Sequence, residues 1–203
     1  MEYINIIKGI RKVMMMEKEV SELDKICKLA SNWWYNTIQN PKFDNGDETR
    51  LSSILGILAV QKAELDQYKL FKEKLYNKIK EELLKRNESD VFILSCDYSP
   101  DRNLCNIADQ CNISLNNFPW KTTMWVSRNH IKVSYGYRNP FNLLYANETY
   151  FENQLNDIEK SIKFYKEKPD DYFVIGTKEE VLKEQYELKE QYIKLKEEFC
   201  NNK

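Results

Sequence analysis

The sequence predicts an α+β protein with a helical N-terminal half, a small and mostly antiparallel β-α-β-β core, and C-terminal helices. Three observations carry that prediction. Apolar residues recur at helical spacing up to about residue 86 and again after residue 148. Between those stretches, one apolar run and one alternating pair of segments read as strands. All five prolines (Pro41, Pro100, Pro119, Pro140 and Pro169) fall at junctions between these segments. The expected regions are 1–88, 89–147 and 148–203, packed as one compact domain.

In chain order, Tyr3, Ile6, Ile7, Ile10, Val13 and Met14 share one helical stripe. Leu23, Ile26, Cys27, Ala30, Trp33, Trp34 and Ile38 share another. Trp33 and Trp34 are adjacent, so their side chains point about 100° apart on a helix. Both are core only if that helix is enclosed. Asn40 to Asp47 reads as a loop, with Asn45-Gly46 a turn and Asp47 an N-cap. The helical pattern from Thr49 to Arg86 shifts register near Lys62–Asp66, which allows one helix or two with a tight joint.

Val91 to Cys96 is apolar on both faces, which suits a strand buried between layers. Ser99-Pro100 is the expected N-cap and first residue of a short helix running to about Cys111. A four-residue turn at Ser127–His130 pairs Val126 with Ile131, Met124 with Val133, and Thr122 with Tyr135, all on one face. Thr123, Trp125, Lys132 and Ser134 then occupy the other face, leaving an exposed indole beside a lysine. Glu148–Lys168 and Lys178–Phe199 are the expected tail helices, with a short edge strand at Tyr172–Ile175. The last helix alternates Val181, Leu188 and Leu195 with Gln185, Tyr192 and Phe199 at heptad spacing. That run is too short for a coiled coil and implies packing on the body.

Bulk composition excludes several classes. At 203 residues and 42% hydrophobic content the chain is long and apolar enough to fold around a core. Five cysteines, odd in number and without a CxxC pair, suggest neither a disulfide framework nor a zinc ribbon, and reduced thiols fit a cytosol. No apolar run suits a signal peptide or a membrane span, so the expected location is the cytoplasm, with no membrane partner.

The formal net charge is −1, yet from Asn112 to Asn147 there is no acidic residue, although 32 Asp and Glu occur in the chain. Lys121, Arg128, Lys132 and Arg138 lie in that stretch. Interleaved with them are Phe118, Trp120, Trp125, Tyr135, Tyr137, Phe141 and Tyr145. Basic residues among aromatics, with acids absent, mark a binding surface rather than an ordinary mixed-sign one. Trp120, Lys121, Trp125, Arg128, Lys132, Tyr137 and Arg138 are the expected partner-binding residues. Phe118 to Lys121 also reads as a loop that plugs the sheet end.

Catalytic readings find less support. His130 is the only histidine and falls in or beside the turn, where an exposed, inert ring is expected. Five scattered glycines make no phosphate loop, and no nucleophile elbow is present. Carboxylates leave one enzyme option: Asp44, Asp47, Asp97 and Asp101 gathered around Mg²⁺ for phosphoryl transfer. Turn and cap roles account for the same residues, and no cofactor is expected.

Several strings together resemble a family of uncharacterised proteins encoded in phages and prophages of low-GC Gram-positive bacteria such as clostridia. They are Trp33-Trp34, Pro41 to Asp47, Asp97-Tyr98-Ser99-Pro100, Phe118 to Val126 and Ser134 to Tyr137. The likeness covers roughly residues 20–145. It implies a small accessory gene on a mobile element, and such genes often encode inhibitors of host immunity, anti-CRISPR proteins among them. The expected function is therefore a non-enzymatic binding protein, an inhibitor of a host nucleic-acid-guided defence nuclease, acting through its basic aromatic hairpin on a protein partner. The alternatives are direct nucleic-acid binding and a Mg²⁺-dependent nuclease or phosphotransferase.

Overall fold

A computed structural model describes residues 2–43, 50–136, 139–173 and 176–201, with side chains excluded at 2–16, 18–19, 50–53 and 200–201. It is α+β, as the sequence predicts. The described elements are α1 (Glu2–Gln39), α2 (Arg50–Ala59), α3 (Leu65–Lys85), β1 (Phe92–Cys96), α4 (Arg102–Gln110), β2 (Thr122–Val126), β3 (His130–Tyr135), β4 (Asn142–Ala146), α5 (Glu148–Glu167) and α6 (Lys178–Asn201). The chain divides into two compact units, Met1–Leu144 and Tyr145–Lys203. The helical half and strands β1, β2 and β3 share the first unit. The stripe at Tyr3–Met14, the Asn45-Gly46 turn and the Asp47 cap lie outside the described residues or side chains.

In the first unit, α1 and α3 pack along the seam set by Ile26, Cys27, Ala30, Trp34 and Ile38 against Phe71, Leu75, Ile79 and Leu83, all buried. Trp34 is fully buried and its ring lies 6.1 Å from Phe118, which lies 5.8 Å from Phe71. Trp33 is only half-buried and meets Tyr135 at 5.8 Å, so the two indoles divide between core and rim. The register shift near residue 62 does separate two helices. The joint is held by the fully buried Asn117: Oδ1 accepts from Gln61 N at 3.0 Å, and Nδ2 donates to Gln61 O at 2.6 Å and Tyr68 Oη at 3.0 Å. Glu64 N–H donates to Gln67 Oε1 at 2.7 Å, the return half of a capping box at the start of α3. On the body side of α2, a Cβ at Gly56 would stand 2.7 Å from the Phe43 ring, so only glycine allows that approach.

The sheet has strand order β1-β2-β3-β4 and is antiparallel. The hairpin register matches the expectation: Thr122↔Tyr135, Met124↔Val133 and Val126↔Ile131. Those inward side chains are buried, apart from the half-buried Tyr135, and Ser127 N–H closes the turn on His130 O at 2.9 Å. β1 departs from expectation. Phe92, Leu94 and Cys96 are buried but Ile93 is 49% exposed, because β1 pairs only with β2 and is covered on one face rather than between layers. β4 was not expected at all. Its residues sit between Pro140 and the α5 cap and run from exposed to buried along the strand, with no two-residue alternation to read.

The cap of α4 also moves. Asp101, not Ser99, is the N-cap, with Oδ1 accepting from Asn103 N at 2.7 Å and Leu104 N at 3.1 Å. Its Oδ2 accepts from Ser95 N at 2.6 Å, which ties the helix start to β1. In the second unit, Asn147 Oδ1 caps α5 by accepting from Tyr150 N at 3.0 Å. The expected heptad set on α6 is its half-buried side, and Lys189 Nζ meets Glu159 Oε1 at 2.7 Å across to α5. At the expected edge strand, Asp170–Tyr172 is a 3-10 turn, and Val174 and Ile175 lie outside the described residues.

Asn117→Ala leaves Gln61 and Tyr68 without their shared partner in a closed site. We expect a loss of about 2 kcal/mol in urea unfolding, with the sheet's circular dichroism intact in the folded state.

Candidate functional site

The outward face of the sheet is built by register alone. β1 pairs β2 with Ile93↔Trp125 and Ser95↔Thr123, and β2 pairs β3 with Trp125↔Lys132 and Thr123↔Ser134. Side chains alternate across a strand, so these residues share one surface, opposite Met124, Val126, Ile131 and Val133. One row across the strands is Ile93–Trp125–Lys132 and the next is Ser95–Thr123–Ser134. A third row continues beyond the strand ends: Lys121 N–H donates to Asp97 O at 2.8 Å, and Gly136 N–H donates to Lys121 O at 2.7 Å.

Trp125 of the first row and the whole of the second and third rows line a cavity of about 480 Å³. Asn139, Pro140 and Phe141 wall it on the β4 side, where Ser134 Oγ donates to Asn139 O at 3.0 Å. Trp125 and Phe141 line it, and Lys132 Nζ stands 4.5 Å from the centre of the Phe141 ring. Half-burial withholds water from the Lys132 ammonium and lowers its pKa below the ordinary lysine value.

The described members of the expected partner-binding set separate into four placements. Trp125 and Lys132 do share the outward face, side by side. Lys121 lines the cavity too, but it is buried, with only 8% exposure, and its backbone is left-handed at φ 51°. Its ammonium lies 5.5 Å from the centre of the Tyr98 ring, so it is a built-in cation rather than a solvated one. Trp120 is half-buried between Phe43 at 5.2 Å and Tyr98 at 5.8 Å, and with buried Phe118 and Pro119 it plugs the sheet end.

Arg128 is placed elsewhere. Its Nε and Nη2 donate to Leu83 O at 3.0 and 2.8 Å, and Nη2 reaches Arg86 O at 3.3 Å. The guanidinium caps the C-terminal carbonyls of α3, where a cation also favours the helix dipole. Arg128 therefore joins the hairpin to the helical half instead of facing a partner. Tyr137 and Arg138 lie outside the described residues.

The groups considered for catalysis are similarly committed. Asp101 caps α4, while Asp97 lines the cavity. Asp44 and Asp47 lie outside the described residues. Among the described residues, no three His, Cys, Asp or Glu side chains gather in a metal-holding group. Burial pushes the Cys96 thiol up to about 12 and the Cys27 thiol to about 11, which disfavours thiolate at neutral pH. His130 is half-buried rather than exposed, with Nδ1 2.8 Å from Ser127 Oγ. Burial, then the nearby Lys132 charge, lowers its pKa to about 4.

Sequence reasoning placed Thr123, Trp125, Lys132 and Ser134 on one face but missed Ser95 and Phe141 as its neighbours. The strict alternation Ile93-Ser95-Asp97 carried that signal on β1, masked by apolar residues at neighbouring positions. No protein-family model matches the chain, and no curated protein sequence matches it either. Among the described residues, no helix is long and apolar enough to cross a membrane.

Arg128→Met keeps the aliphatic stem and removes the donors. Calorimetry should show a loss of about 1–2 kcal/mol, with the fluorescence of the folded protein unchanged. For His130, the folded pKa lies below the unfolded one, so the unfolded chain takes up the proton first. Its contribution to stability is complete above pH 6.5 and is lost as pH falls toward 4. Between pH 6.5 and 5, His130→Gln should lower the pH dependence of unfolding by on the order of 1 kcal/mol. An imidazole midpoint near the ordinary histidine value in NMR would contradict the burial argument.

Proposed function

We propose that the chain is a non-catalytic binding protein whose contact surface is the outward face of its sheet. In the form its sequence resemblance implies, it is a phage-borne, anti-CRISPR-like inhibitor of a host nucleic-acid-guided defence nuclease, acting in the host cytoplasm. The observation that carries the binding reading is the pairing of Trp125 with Lys132 on the outward side of a hairpin whose inward side is core. A part-exposed indole in a concave, aromatic-walled site is the kind of anchor that dominates interfaces. A lysine beside it supplies charge toward a carboxylate or phosphate.

What supports binding over catalysis is the employment of the reactive groups. The described thiols are held protonated, His130 is held neutral against Ser127, and Asp101 is occupied by three backbone N–H groups. One observation favours direct contact with nucleic acid as a second reading: the cavity joins aromatic walls to a cation within an acid-free stretch of chain.

Trp125→Ala combined with Lys132→Glu tests the proposal. Capture of the defence nuclease complex by the purified chain should fall at least tenfold, while the thermal midpoint stays within a few degrees of wild type. Undiminished capture by the double variant contradicts it.

A further inference from the structure

From Leu51 to Gln61 the sequence holds no charged residue, so α2 lacks the charged face of an ordinary surface helix. A helix of that kind is usually enclosed by other elements. Here it is covered along one line. Gly56 is buried against the Phe43 ring, and the 3-10 turn Leu115–Asn117 packs alongside. Successive helical residues rotate by about 100°, so Leu55 and Ile57 stand to either side of the Gly56 direction and Ile54 and Leu58 point opposite to it. All four side chains are exposed, from 46% at Ile54 to 75% at Leu58. They form an arc of about 160° turned away from Phe43.

Single exposed leucines are common on soluble proteins, but four on one arc make a contiguous patch. Leu65 at the start of α3 and Leu115 beside α2 are exposed as well. At on the order of 100 Å² per aliphatic side chain, the patch offers roughly 500 Å². Two such patches face to face bury about 1,000 Å², the area at which specific interfaces begin.

We infer that this face is covered by a second copy of the chain, with two α2 helices packed antiparallel about a twofold axis. A twofold contact needs a surface complementary to itself, in which residue i meets j and j meets i. Ile54-Leu55-Gly56-Ile57-Leu58 meets that demand, because reversing its direction only exchanges isoleucine with leucine. Ile54 of one copy lies against Leu58 of the other, and Leu55 against Ile57. The rim is balanced in the same sense. Lys62, Glu64, Asp66 and Lys69 follow the helix, all exposed, two of each sign. Asp66 and Lys69 pair with each other at 2.9 Å, which leaves Lys62 and Glu64, again of opposite charge, to face their copies. An anionic lipid surface or a polyanion attracts half of that rim and repels the other half, so neither is favoured.

This contact does not depend on the outward face of the sheet. The test is sedimentation velocity of the full chain from about 1 to 100 μM, with Trp125→Ala/Lys132→Glu run beside it. We expect a concentration-dependent shift from 24.4 kDa toward twice that mass, with a Kd in the micromolar range. Leu58→Glu sets an unpaired carboxylate in the middle of the contact and should weaken dimerisation at least a hundredfold. Ile57→Lys repeats the test with the other sign. Both side chains are exposed in the single chain, so far-ultraviolet circular dichroism should not change. Leu84→Glu, at an exposed position near the far end of α3, should leave the dimer intact. Because the contact is apolar, its Kd should move less than about threefold between about 50 and 500 mM salt.

A wild-type chain that stays monomeric at about 100 μM overturns the inference. Should that monomer sediment with phosphatidylglycerol vesicles, or lose capture of the defence nuclease through Leu58→Glu, the face belongs to lipid or to that partner instead. A dimer that survives both α2 variants overturns it too. If Trp125→Ala/Lys132→Glu dissociates the dimer while Leu58→Glu does not, the twofold lies on the sheet face and not on α2. If that double variant loses nuclease capture but stays dimeric, the docking surface and the α2 contact both stand.

Discussion

The inward packing of Met124, Val126, Ile131 and Val133 is the constraint on which the rest of this structure depends. Each is at most 1% exposed. Strand side chains alternate with period two, so these four residues can be buried together in one register only, and a slip of one position would turn Trp125 into the core. Burying an aliphatic or thioether side chain of this size contributes about 1.5–3 kcal/mol each, so the register is set by several such terms acting together. Everything on the outward face follows as the complement of that choice: the Trp125–Lys132 pair, the row of hydroxyls, and the cavity that they floor.

The acid-free stretch is where composition and geometry part. Its cations look alike in the sequence but do three different things. Arg128 replaces the missing donors at the end of α3, Lys121 is buried beneath the Tyr98 ring, and Lys132 stands at the outward face above Phe141. Acids near Arg128 would compete with the helix carbonyls it caps, whereas Lys121 already shares the cavity lining with the Asp97 carboxylate from the end of β1. The absence of acids around the turn therefore has an internal electrostatic reason in the Arg128 cap. The outward face is accordingly more concave, and carries fewer solvated cations, than a uniformly basic hairpin would.

The legible parts of this fold are those decided by local period. The hairpin register and the seam of α6 are written in spacing alone and appear where spacing puts them, while the register shift near residue 62 allowed one helix or two and the structure has two. The illegible parts depend on what another element supplies. Arg128 cannot be read as a helix cap until the turn is known to meet the end of α3. Asp101 gains over Ser99 as a cap because its second oxygen also reaches β1. Cavity residues Ser95 and Phe141 come from an edge strand and from the segment before β4; alternation places Ser95 on a face, but nothing local reports that Phe141 walls the same face. His130 was misjudged for the same reason, since its burial comes from the folded hairpin and from Ser127 rather than from its place in a turn.

Fluorotryptophan NMR in the presence of a neutral paramagnetic chelate tests the central claim most directly, because four indoles report four environments in one spectrum. The account predicts that the Trp125 line broadens while the line of fully buried Trp34 stays sharp. A Trp125 indole as protected as Trp34 would contradict it.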